Sequence, residues 1–86
     1  MKHLKLECGF ELDVDESQFE DMELFDAVAE MEAGNALALS RVTAKILGGR
    51  KAELYDHLRD ENGRVPVRAV TDAVVEIFQK GASKNS

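Results

Sequence analysis

Residues Tyr55–Val70 read YDHLRDENGRVPVRAV. A helix-like run carrying Leu54, Tyr55 and Leu58 on one side gives way at Asp60-Glu61-Asn62-Gly63 to a polar segment that ends in Gly, as a tight reversal requires. Val65 precedes Pro66 and is therefore biased toward extended backbone. Pro66 suits the first turn of a helix, where its missing N–H is not needed. From there Val67, Val70, Val74, Ile77 and Phe78 fall within about 100° of one another on a helical wheel. This is the clearest amphipathic pattern in the chain, and it predicts a helix to about Gln79 or Lys80 that stops at Gly81.

A polar loop between two helices also resembles a calcium-binding loop. Setting Gly63 at the sixth loop position places Asp60 third, Asn62 fifth and Val65 eighth, as an EF-hand wants. The first position is then Leu58 and the twelfth Ala69, neither of which offers the ion a side-chain oxygen. Lacking both end ligands, the loop reads as a reversal between helices, and no metal site is expected.

Upstream, residues 3–14 (HLKLECGFELDV) alternate apolar and polar on both sides of Gly9. Leu4, Leu6 and Cys8 share one face, and Phe10, Leu12 and Val14 share another, which predicts a β-hairpin turning near Cys8-Gly9. Two strands alone are marginal, so their apolar face must lie on helices or pair with another chain. Asp15, Ser17 and Asp21 are candidate N-caps for a helix over about 20–32. Its apolar side is expected to hold Leu24, Phe25, Val28 and Met31, opposite Glu16, Glu20, Glu23, Asp26 and Glu30. Ala33-Gly34-Asn35 ends it. A second helix over about 37–47 carries Leu39, Val42 and Ile46, Gly48-Gly49 breaks it, and a third follows over about 50–59.

The expected fold is therefore α+β, an N-terminal β-hairpin followed by a bundle of about four short helices, the last over about 66–79. Residues 1–80 form one domain on this reading and 81–86 a flexible tail. A chain of 86 residues buries roughly 60% of its unfolded surface, enough for a modest core. A single cysteine leaves no internal disulfide and suggests a reducing compartment. No apolar run approaches the roughly 18 residues that span a bilayer, and no secretory signal opens the sequence.

The net charge of −6 is unevenly spread: residues 1–40 hold eleven acids and two bases, residues 41–86 six acids and nine bases. An acidic total argues against nonspecific nucleic-acid binding, and the asymmetry favours a basic partner or a head-to-tail homo-oligomer. No catalytic constellation emerges. His3 and His57 stand on separate elements without metal-ligand spacing, and Cys8 lacks an identifiable base. The surroundings of Ser17 and Ser40 do not match the Asp-Ser-Leu attachment motif of an acyl carrier. The last helix, with Arg68 and Lys80 set against Asp72 and Glu76, is poorly suited to DNA. No catalytic residue, cofactor or metal is expected.

The run LYDHLRDENGRVPVRAV at Leu54–Val70 resembles the tail assembly chaperones of long-tailed phages and prophages of Gram-positive bacteria. The resemblance extends to Gly9-Phe10, to Asp21-Met22-Glu23-Leu24, to Leu47-Gly48 and to the ending Gly81-Ala82-Ser83-Lys84-Asn85-Ser86. Ser40 stands where such proteins are expected to have a proline, and Gly49-Arg50 replaces a more acidic run. The resemblance implies a non-enzymatic protein of the host cytoplasm, absent from the mature virion. It would bind the tape-measure protein, shield its long apolar helices and help recruit tail-tube subunits. On that basis Leu54, Tyr55, Leu58, Val67, Val70 and Val74 are candidates for client contact, and the same residues are candidates for the monomer's own core. The alternative is a structural adaptor of the tail or head–tail connector. Neither nucleic acid nor membrane is an expected partner.

Overall fold

Leu6 donates its backbone N–H to Phe10 at 2.9 Å, and Gly9 donates to Leu6 at 2.9 Å, closing the turn of an N-terminal hairpin in which Gly9 adopts φ +95°. In the computed structural model, which describes residues 1–82, the hairpin's strands are β1 (Lys2–Lys5) and β2 (Glu11–Val14), antiparallel with Leu4 opposite Leu12. Alternation puts Leu4, Leu6, Phe10, Leu12 and Val14 in the core and leaves His3, Lys5, Glu11 and Asp13 exposed. The apolar face is covered by helices, as a two-stranded sheet needs.

Four α-helices follow among the described residues: α1 (Met22–Glu32), α2 (Ala36–Leu47), α3 (Lys51–Leu58) and α4 (Val67–Ala82). The architecture is α+β, a hairpin followed by helices. Asp21 caps α1 by accepting from the Glu23 N–H at 2.9 Å. The helix closes on Gly34 at φ +104°, with Asn35 N–H donating to Glu30 at 3.0 Å, a left-handed cap that only a residue without Cβ adopts freely. Asn35 then caps α2 through the Leu37 N–H at 3.1 Å.

Three expectations need correction. Asp15 does not start α1; it caps a separate 3-10 turn over Glu16–Glu20, accepting from both the backbone and the hydroxyl of Ser17. Glu16 and Glu20 therefore do not share a helix with Glu23. The turn exists to deliver Phe19, which is buried with its ring edge-on to Phe78 at 5.8 Å between centroids. Phe25 does not join the core side of α1: it is 52% exposed, and its ring meets only the edge of Phe78, at 6.2 Å. Finally, α4 does not stop at Gly81. It runs through that residue to Ala82, with Gly81 buried against the Phe19 ring. The rest of the expected tail, residues 83–86, lies outside the described residues.

The hairpin is tied to the C-terminal half of α4 by charged side chains. Both carboxylate oxygens of Glu76 accept from the Glu7 N–H at 3.1 Å, and Glu76 pairs with Lys80 at 2.6 Å. Lys80 Nζ also donates to the Lys5 carbonyl at 3.1 Å, while Lys2 Nζ donates to the Lys80 carbonyl at 2.7 Å. On the other side of the hairpin, the Arg50 guanidinium donates to the Glu11 carbonyl at 3.2 Å and lies 5.3 Å from the Phe10 ring centroid. At its N-terminal end, α4 has α2 and α3 as neighbours on the side of Val67 and Val70.

Candidate functional site: an apolar groove

The reversal between α3 and α4 is built around Asp60. Its Oδ1 accepts from the backbone N–H of Asn62 at 2.9 Å and of Arg64 at 3.0 Å, and Gly63 N–H donates to the Asp60 carbonyl at 3.0 Å. Gly63 takes φ +80°. Arg59 locks the loop from outside, donating to the Gly63 carbonyl at 2.8 Å and to Asp56 at 2.9 Å. The Asp60 carboxylate is thus occupied with backbone donors, the use a turn makes of an Asp side chain.

This turn delivers Val65 and Pro66 to the mouth of an apolar groove. Its walls are Ala36, Leu39 and Ser40 of α2, Tyr55 of α3, and Val65, Val67 and Val70 at the start of α4, around a cavity of about 300 Å³. Val70 is buried at its floor, whereas Val67 is 64% exposed at its lip. Leu37, the residue after Ala36, is 82% exposed. An exposed valine beside a buried one on successive turns is what an unfilled apolar face looks like, since both would be covered in a core helix.

One cation lies beside the groove: Lys51 Nζ is 5.9 Å from the Tyr55 ring centroid. Among the described residues Lys51 forms no ion pair, unlike Arg41, Arg50, Arg59 and Lys80, which bind Glu30, Glu53, Asp56 and Glu76.

The six residues singled out from the sequence separate into three environments. Tyr55, Val67 and Val70 come together in the groove. Leu54 and Val74 are fully enclosed in the core, out of reach of a docking partner. Leu58 faces away, into a second cleft of about 570 Å³ lined also by Glu7, Cys8, Asp72 and Glu76. Sequence reasoning did not find the contribution of Ala36, Leu39, Ser40 and Val65. Of these, Val65 carried a usable signal: an apolar residue held extended by the proline after it, next to a turn.

The remaining chemistry-bearing groups serve the hairpin. His57 Nε2 donates to the Cys8 carbonyl at 2.8 Å, which assigns the proton to that nitrogen, and its ring lies 5.6 Å from that of Phe10. His3 Nδ1 meets Asp13 and Nε2 meets Glu11, each at 2.8 Å. Two carboxylates can be served together only if both ring nitrogens donate, so the imidazolium is favoured. The His3 pKa is accordingly raised, first by the bond to Glu11 and then by that to Asp13, and the Glu11 pKa is lowered by the same His3 bond. Among the described residues no group of three or more metal-ligating side chains converges. No protein-family model, curated protein or solved structure matches this chain.

Proposed function

We propose that this protein is a non-enzymatic tail assembly chaperone. It binds the tape-measure protein in the host cytoplasm, helps recruit tail-tube subunits during tail morphogenesis, and leaves before the virion is complete. The observation that carries the reading is the apolar groove at the head of α4, where exposed Val67 and half-buried Tyr55 flank buried Val70. A groove between amphipathic helices receives one apolar stripe of a helical client, presented at i, i+3, i+4 and i+7. Covering such stripes one after another is what keeps a long helical client from aggregating. Tyr55 suits this role because a large amphipathic ring contributes contact area at low entropic cost. No helix among the described residues is long and apolar enough to cross a membrane, and a soluble meeting place for client and chaperone is part of the proposal.

The test is co-expression with the tape-measure protein. That protein should co-purify with the wild-type chain, and Val67→Asp should abolish capture while leaving the chaperone folded. A tape-measure protein that is fully soluble alone would overturn the reading. Mass spectrometry of purified virions distinguishes the structural adaptor, which stays in the particle, from a chaperone, which is absent.

A further inference from the structure

The cleft that holds Leu58 lies on the other side of α4 from the groove and shares no residue with it. Its α4 wall runs from Ala69 to Gln79, about 15 Å of helix. Half-buried Leu58, Ala69 and Val75 and buried Ala73 give it an apolar floor, and the small alanine side chains let another helix approach closely. Three carboxylates stand over that floor. Glu76 is committed, since it pairs with Lys80 and accepts from the Glu7 N–H, and it thereby fixes the hairpin turn as the opposite wall. Glu7 and Asp72 are exposed, and among the described residues their carboxylates form no ion pair. No lysine or arginine is among the residues lining the cleft. Arg68, one turn before Asp72, neither lines it nor pairs with Asp72.

An apolar trough with unneutralised acids on its walls is the complement of a cationic amphipathic helix. Apolar side chains settle on the floor, while Lys or Arg stems lie along it and bring their charges to the carboxylates. We infer that this cleft docks a helix of a partner protein that carries Lys or Arg beside an apolar stripe. A second copy of this chain does not supply that helix. Its cations one turn apart on α2, Arg41 and Lys45, share a cleft with Glu23, Asp26 and Glu30 of their own molecule, and Arg41 is paired with Glu30 at 3.5 Å. The carboxylates of the cleft repel a nucleic acid. A docked helix covers Cys8, the single cysteine of the chain, which is exposed and lines the cleft. The inference does not rest on the chaperone reading.

Cys8 therefore reports on its own cleft. The probe is a synthetic helical peptide of about four turns, with Leu at i, i+3, i+4 and i+7 and Lys at the flanking positions. As it is added to the full chain, the rate of Cys8 alkylation by iodoacetamide should fall to a plateau, and salt should shift the response to higher peptide concentration. The same peptide with Glu in place of Lys should give no protection. Asp72→Lys should raise the half-protecting concentration about tenfold. Glu20→Lys, the same change of charge at an exposed position of the 3-10 turn, should leave it unchanged. Circular dichroism verifies that both variants are folded. Absence of protection, equal protection by the Glu peptide, or equal weakening by the two variants would each overturn the proposal, the last by reducing the effect to overall charge. Protection that grows with protein concentration when no peptide is present would overturn it in favour of a second copy. The assay uses no tape-measure protein and alters no groove residue, so its failure leaves the chaperone reading standing.

Discussion

Gly81 passes directly beneath the ring of Phe19: a Cβ built on Gly81 would overlap Cε2 and Cζ of that ring. The contact joins the last turn of α4 to the short turn between hairpin and helices, two segments about sixty residues apart in sequence. Replacing a helical Gly by Ala normally stabilises by about 1 kcal/mol. Here the sign should reverse. Gly81→Ala is expected to destabilise by about 1–3 kcal/mol through overpacking, and Phe19→Leu in the same chain should recover part of the loss. Chemical denaturation of the two single variants and the double variant measures both effects.

Leu54 and Val67 are both candidates for client contact on the sequence alone, and their exposures of 0% and 64% set opposite expectations. Leu54→Ala should lower stability by about 2–5 kcal/mol, as emptying an enclosed site does. Val67→Ala should stay within about 0.5 kcal/mol of wild type. Equilibrium unfolding in urea distinguishes them, and equal losses at the two positions would mean that Val67 is covered.

His3 gives the stability a small pH dependence with a definite sign. Its folded pKa is raised above the ordinary value of 6.5, so its contribution is present below that value and is lost as pH rises through the folded pKa. The Glu11 pKa is lowered from 4.5, so that contribution is present above 4.5 and is lost as pH falls through the folded value. The cluster therefore stabilises the hairpin most at mildly acidic pH. Melting temperatures taken from mildly acidic to mildly alkaline pH should fall slightly for the wild type and lose that component in His3→Gln.

Gly9 and His57 hold the hairpin turn against α3. Gly9→Ala places a side chain at φ +95°, a backbone conformation that costs about 1–2 kcal/mol outside glycine. His57→Ala removes the bond to the Cys8 carbonyl and should cost about 1 kcal/mol. Hydrogen exchange should show the amides of Leu6 and Gly9 opening faster in both variants, with the amides of α2 unaffected.

Much of this architecture is local in origin and was legible from residue order. Alternation about Gly9 specifies that Leu4, Leu6, Phe10, Leu12 and Val14 face inward, because a strand's period of two leaves no other choice. It fails at Cys8, which the same pattern groups with Leu4 and Leu6 and which lies exposed in the turn beyond the end of β1. Gly34, Gly63 and Pro66 mark their turns because few other residues tolerate those backbone conformations. The apolar stripe from Val70 to Ile77 identifies the buried side of α4 for the same kind of reason: helical geometry alone puts those residues on one face.

What residue order left open was decided by neighbours distant in the chain. A wheel groups Phe25 with Leu24 and Val28, but whether the edge of that face is covered depends on where α4 crosses, and the Phe78 ring covers it only in part. Gly81 has the propensity of a helix stop, yet Phe19 packs where its Cβ would be and the helix continues. The groove has no sequence signature of its own, since Ala36, Leu39, Tyr55 and Val67 become one surface only when three helices meet. Local sequence determines the conformation of each segment through short-range sterics and hydrogen bonding. Which apolar side chains remain outside is determined by how those segments pack, and in this protein that packing leaves Val67 and Phe25 exposed.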